Sequence, residues 1–187
     1  MLRIISKIIL WLFGWKVQGS FSPGLKKCVL VVAPHTSKWD FIIGRFAFWG
    51  LNIKVKFLIK KEQFHFPFKY LFKAMGGIPV DRENSKSLVG QVGNLYKNNE
   101  SMIIIITPEG TRSLKPKWKK GFYYIARQAN VPIVLGFLDY KRKVGGIGPV
   151  METTGDFEKD FLFIEDFYKD ISARFPENFN LSAQNRK

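Results

Sequence analysis

Three continuous apolar runs divide the chain, at residues 28–33, 102–107 and 131–137. Short runs without polar alternation predict strands buried on both faces. Residues 55–59 read as a further strand, and 76–80 as a turn entering a short one. Between these segments lie predicted helices over 39–50, 67–75, 85–98 and 118–129, with Pro67 suited to a first helical position. Strands that alternate with helices predict an α/β fold: one domain with a mixed, largely parallel central sheet flanked by helices. Near the end, Phe157, Phe161, Ile164, Phe167, Tyr168 and Ile171 recur at helical spacing behind acidic Asp156, Glu158 and Asp160. This predicts a terminal amphipathic helix with its acidic residues at the favourable end of the dipole.

The first 18 residues differ from the rest. Their apolar run is about 10 residues long and is interrupted by Lys7. A spanning helix needs ~20 apolar residues, so the run is too short to cross a bilayer. No small-residue cleavage pattern follows it. Arg3, Lys7 and Lys16 beside Trp11, Phe13 and Trp15 suit a short amphipathic helix lying in a membrane interface. A first helix packed into the core is the alternative. The expected organisation is therefore an N-terminal interfacial helix at 1–18, an α/β domain at 25–175 and a frayed polar tail at 176–187.

Length agrees with one domain, since 187 residues would be cramped as two. Charge changes the picture more. Residues 1–150 hold 25 Lys/Arg against 7 Asp/Glu, whereas 151–187 hold 5 against 8. The basic surface belongs to the body of the domain, and it expects an anionic partner such as a membrane face, a phosphorylated substrate or nucleic acid. Cys28 is the single cysteine, so no internal disulfide forms, and its place inside an apolar strand makes it a core residue. Two histidines separated from that cysteine give no metal-ligand spacing, and no metal is expected.

Three segments at strand ends carry chemistry, the place where α/β sheets bind ligands. His35 directly follows the first buried run, and Asp40 lies five residues on. If Thr36 or Ser37 caps the next helix, Asp40 sits in its first turn and its carboxylate can fold back to the imidazole. A carboxylate on one ring nitrogen fixes the tautomer and frees the other nitrogen as a base. The other reading is a loop histidine beside a helix-capping aspartate. The second segment, residues 107–113, offers Gly110 for a tight turn, the hydroxyls of Thr111 and Ser113, and Glu109 and Arg112 to pair together or hold substrate. The third, residues 76–82, ends on Arg82, whose fork matches phosphate geometry or pairs with a neighbouring acid. A basic, aromatic stretch from Lys54 to Lys73 reads either as a seat for anionic lipid or as a solvated face around a packed helix. His65 within it is read as non-catalytic.

Taken in order, these segments resemble the lysophospholipid/glycerol-phosphate acyltransferase family. That family is marked by a His and an Asp separated by four residues, matched by His35 and Asp40. A Gly-containing block ending in Arg is matched by Gly77 and Arg82. The block Pro-Glu-Gly-Thr-Arg-Ser is present in full at 108–113, and a Val-Pro-Ile strand is matched at 131–134. Pro34, Pro79, Val80, Leu135 and Gly136 depart from the usual pattern.

The resemblance implies acyl transfer from a thioester to a hydroxyl of a lyso-lipid such as 1-acyl-glycerol-3-phosphate. His35 would be the base and Asp40 its orienter. Arg82, Glu109, Gly110, Thr111 and Arg112 would hold substrate, with backbone donors near Gly110 facing an oxyanion. The partners implied are the lyso-lipid acceptor, acyl-CoA or acyl carrier protein as donor, and an anionic membrane surface. No bound cofactor and no nucleic acid are expected. The implied place is the cytoplasmic face of a membrane, held peripherally. The competing reading from another class is a non-enzymatic basic module for membrane or nucleic acid. It leaves the four ordered blocks unexplained, and no nucleic-acid recognition signature accompanies them.

Overall fold

The strand expected at 28–33 forms as β2 (Lys27–Val32) and lies in the middle of a seven-stranded sheet. The structure is a computed structural model, and it describes residues 1–81 and 85–181. From the amino end the elements are α1 (Leu2–Leu12), β1 (Lys16–Gln18), β2 and α2 (Lys38–Gly50). Next come β3 (Lys56–Lys60), α3 (Phe68–Ala74), β4 (Gly77–Val80) and α4 (Ser85–Lys97). They are followed by β5 (Met102–Ile106), α5 (Gly121–Ala129), β6 (Ile133–Asp139), β7 (Val144–Met151) and α6 (Phe157–Tyr168). The sheet order is β1-β7-β6-β2-β5-β3-β4. All neighbours pair in parallel except β6 with β7, so the sheet is mixed and mostly parallel, as its alternating pattern predicts.

The pleat of β2 sorts the core into two faces. Val29 and Val31 pack with Tyr96 of α4, Phe122 of α5 and Phe161 of α6. Cys28 and Leu30 face the other way, with Val134 and the ring of Phe48 from α2. A third cluster joins Leu10 of α1 to Ala47 of α2 and Leu138 of β6. Burial pushes the Cys28 thiol up to about 12, which fits the core role expected of it.

Several boundaries differ from expectation. The first helix stops at Leu12, and residues 16–18 form edge strand β1 beside β7. Trp15, grouped with Trp11 in the interfacial reading, is buried and meets Tyr140 edge-on at 5.1 Å. The helix expected from 118 begins at Gly121, and Trp118 precedes it as a buried plug against Phe161 and Tyr168. Strand β7 was not anticipated, because Gly145, Gly146, Gly148 and Pro149 weaken any strand pattern. Of the expected tail, residues 182–187 lie outside the described residues, and 176–181 are ordered into the body of the fold. They carry a 3₁₀ turn at Pro176–Asn178, and the Asn180 side-chain amide donates to the carbonyls of Lys115 and Pro116 at 2.9 and 2.8 Å. α3 has no fully buried residue, though Phe72 is half-buried against Phe64 and Phe68, while Val55 and Ile59 earlier in the stretch are buried.

Candidate active site

The parallel strands β2, β5 and β6 lie side by side, and polar residues from the segments that follow them come together in one place. His35 and Asp40 come from the loop after β2 and the first turn of α2. Glu109 comes from the loop after β5, and Tyr140 is the residue after β6.

The His35 loop is built by helix capping. Ser37 is the N-cap of α2, and Asp40 is the third residue of a capping box. Asp40 Oδ2 accepts the backbone N–H groups of Thr36 and Ser37, each at 2.8 Å. The same oxygen lies 3.2 Å from His35 Nδ1. The two readings of Asp40 left open by the sequence therefore hold together: it caps the helix and faces the imidazole. Burial alone would raise the Asp40 carboxyl, but hydrogen bonds from His35, Tyr140 and Ser37 outweigh it and hold the group below its usual range. Tyr140 Oη donates to Asp40 Oδ1 at 2.5 Å across 100 residues of sequence.

Glu109 does not project into solvent. It is 5% exposed, and its Oε1 accepts the backbone N–H of His35 at 2.9 Å. Its Oε2 is buried without a hydrogen-bond partner among the described residues. Burial pushes this carboxyl up to about 7 from an ordinary 4.5. Gly110 takes the left-handed φ of +66° that closes the turn, and its N–H donates to Thr107 O at 3.1 Å. That N–H is engaged within the turn. Arg112 is exposed on the cavity wall, and Thr111 Oγ1 accepts the Ser113 N–H at 3.4 Å. Arg82 lies outside the described residues. His65 is exposed and has Nδ1 3.1 Å from Phe66 O, remote in role from this cluster.

A cavity of about 1550 Å³ opens beside His35. It forms where β3 leaves β5, since the two strands pair over only two residues, Lys56 with Ile104 and Phe57 with Ile105. One wall is apolar and comes from the α2 face, with Val32, Phe48 and Val55. Leu88, Val89 and Ile125 extend it on the other face of the sheet. Lys38, Arg45, Lys119, Lys120 and Arg127 add positive charge along the walls with Arg112. Lys119 and Lys120 belong to the basic run at 115–120, whereas Lys38, Arg45 and Arg127 are not singled out by sequence. Their signal is position: each lies on a loop or helix that follows a chemistry-bearing strand end. No helix of the described residues is long and apolar enough to cross a membrane.

Comparison with known proteins bears on this arrangement. A family model described as Acyltransferase matches residues 16–134. A 1-acyl-sn-glycerol-3-phosphate acyltransferase from Limnanthes alba is 30% identical over 139 residues, covering 71% of this chain and 48% of that protein. Proteins of the same description from Limnanthes douglasii and Cocos nucifera are 28% and 25% identical, with 48% and 44% of their lengths covered. The chain thus spans about half the length of the curated relatives it matches. Among solved structures, the 1-acyl-sn-glycerophosphate (LPA) acyltransferase PlsC from Thermotoga maritima superposes with a TM-score of 0.59 at 18% identity. That match covers 92% of this chain and 80% of the other, and it is a likeness of fold.

Proposed function

The chain belongs to the acyltransferase family, and on that premise we propose that it moves a fatty acyl group from an acyl thioester to a hydroxyl of a lysophospholipid. The observation that carries this reading is the 3.2 Å approach of His35 Nδ1 to Asp40 Oδ2 at the mouth of an apolar cavity with cationic walls. The names of its relatives favour 1-acyl-glycerol-3-phosphate as the acceptor.

The chemistry follows from that geometry. Asp40 holds the proton on Nδ1, so Nε2 is the free base. An alcohol has a pKa far above neutrality, so its proton must leave as its oxygen attacks the thioester carbonyl. His35 takes that proton, and the imidazolium that forms faces the Asp40 carboxylate. Collapse of the tetrahedral intermediate breaks the C–S bond, and the departing thiolate receives the proton back from His35. The donor is already activated, so the enzyme needs no nucleophile of its own. The apolar depth of the cavity suits acyl chains, and Arg82 and Arg112 suit the acceptor phosphate, with the fork of arginine matching its oxygens. Acyl-CoA and acyl carrier protein both meet the requirement for an anionic thioester donor. The reading places the protein peripherally on the anionic cytoplasmic face of a membrane, in lipid synthesis.

Free thiol released from an acyl thioester in the presence of lysophosphatidate tests the proposal. His35→Ala should keep its fold and lose ~10²–10⁴ in rate. Full turnover in folded His35→Ala protein would overturn the mechanism. Nucleic-acid binding without thiol release from either donor would favour the non-enzymatic reading.

A further inference from the structure

Asp40 makes three contacts through one oxygen, and all three come from its own loop. A carboxylate can rotate about its terminal torsion, whose energy profile is broad and two-fold. Contacts at Oδ2 alone leave the second oxygen to be fixed by something else. Among the described residues, the hydrogen bond to Oδ1 comes from Tyr140, which lies outside the segment 16–134 that matches the family model.

Tyr140 is itself held from three directions. Its backbone N–H donates to Ser172 O at 2.9 Å. Its ring meets Trp15 edge-on, with an interplanar angle of 89°. The Arg174 guanidinium lies 5.8 Å from the ring centroid. The phenol stays protonated, because burial and then the bond and charge of Asp40 hold it well above the usual tyrosine range. The hydroxyl is thus a permanent donor delivered by parts of the chain remote from the His35 loop.

We propose that Tyr140 is a positioning residue for the His35–Asp40 pair: its hydroxyl fixes Asp40 Oδ1 and thereby presents Oδ2 to His35 Nδ1. The proposal rests on the reading of that pair as base and orienter. A simple tie between α2 and the segment around 172–175 would produce the same contact, so the test separates the two.

The variant is Tyr140→Phe in the full chain, which removes the hydroxyl and keeps the ring against Trp15 and Arg174. It is assayed with oleoyl-coenzyme A and 1-oleoyl-lysophosphatidate in detergent. Loss of one hydrogen bond to a charged group predicts a fall in kcat of roughly tenfold to a hundredfold. Both Michaelis constants should hold. In an Asp40→Asn background the same substitution should cost nothing further, because the hydroxyl acts through the carboxylate. Unchanged kcat in folded Tyr140→Phe protein overturns the proposal, and so does an equal loss in both backgrounds. If Tyr140→Phe fails to fold, fluorotyrosines of graded acidity at position 140 replace it. A kcat that tracks hydroxyl acidity supports the role, and a flat response ends it. Absence of wild-type turnover would instead count against the acyltransferase reading. The low-field NMR signal of the His35 Nδ1 proton then decides Tyr140 separately: it shifts in the Phe variant if the hydroxyl positions Asp40, and an unmoved signal overturns the idea.

Discussion

Glu109 carries opposite demands on its two oxygens, one on the His35 amide and the other buried without a partner. Its carboxyl is pushed up to about 7, so folding favours the protonated form. The stabilising effect of that proton is complete below the unfolded value near 4.5 and is lost as pH rises toward 7. Melting temperature should therefore fall across that window in the wild-type protein and stay flatter in Glu109→Gln, as a pH series of thermal melts would read. Parallel curves would mean that Glu109 does not titrate there. At this scale the His35–Asp40 spacing and the capping role of Ser37 were legible, because both are local. The inward turn of Glu109 was not, since the amide it meets lies 74 residues away. Tyr140 follows a strand end just as His35 does, but nothing in its neighbours points to a carboxylate on another element.

Buried continuous strands were the clearest elements to read, and β2, β5 and β6 all stand close to where their apolar runs place them. The glycine-rich β7 escaped because its composition answers to neighbours, not to propensity. A Cβ on Gly146 would lie 2.3 Å from Gln18 O, and one on Gly148 2.4 Å from the Phe167 ring. Glycine here lets β1 and α6 close on the strand. Gly146→Ala should consequently cost roughly 1–3 kcal/mol, as overpacking does. Urea unfolding gives the magnitude, and faster amide exchange at residues 16–18 would place the damage at β1. Slow exchange there, with stability unchanged, would mean that the edge has room to move.

Across the molecule, apolar side chains and positive charge share the outer surface. Ile4, Ile8 and Trp11 of α1 are 64%, 51% and 75% exposed, whereas Leu10 is buried toward α2. α1 thus packs on α2 by one side and leaves apolar side chains exposed on the other among the described residues. Phe66, Phe68 and Tyr70 form a second exposed group around α3, beside Lys69 and Lys73. Such surfaces bind lipid through buried apolar area and through attraction worth ~1 kcal/mol per Lys or Arg near the surface. Removing residues 1–18 would also remove Trp15 and β1, so surface substitution is the cleaner test. Ile8→Ser with Trp11→Ser should weaken vesicle binding about tenfold or more while leaving turnover in detergent intact. Wild-type binding should be tighter to anionic than to neutral vesicles, with the difference narrowing in salt. Unchanged flotation of the double variant would remove α1 from the membrane contact.

The pairing of β1 with β7 also sets an order of events during synthesis. Lys16 is in register with Val144, so the first strand waits for most of the chain to be made. At ~5–20 residues per second that delay is roughly 6–26 s. Throughout it α1 can pack on α2, but β1 lacks its partner strand and Trp15 lacks the Tyr140 ring that will bury it. Tyr140 lies 100 residues beyond Asp40, so at the same rate its hydroxyl follows Asp40 by roughly 5–20 s. The exposed apolar face of α1 is therefore made well before the residue that bonds Asp40 Oδ1.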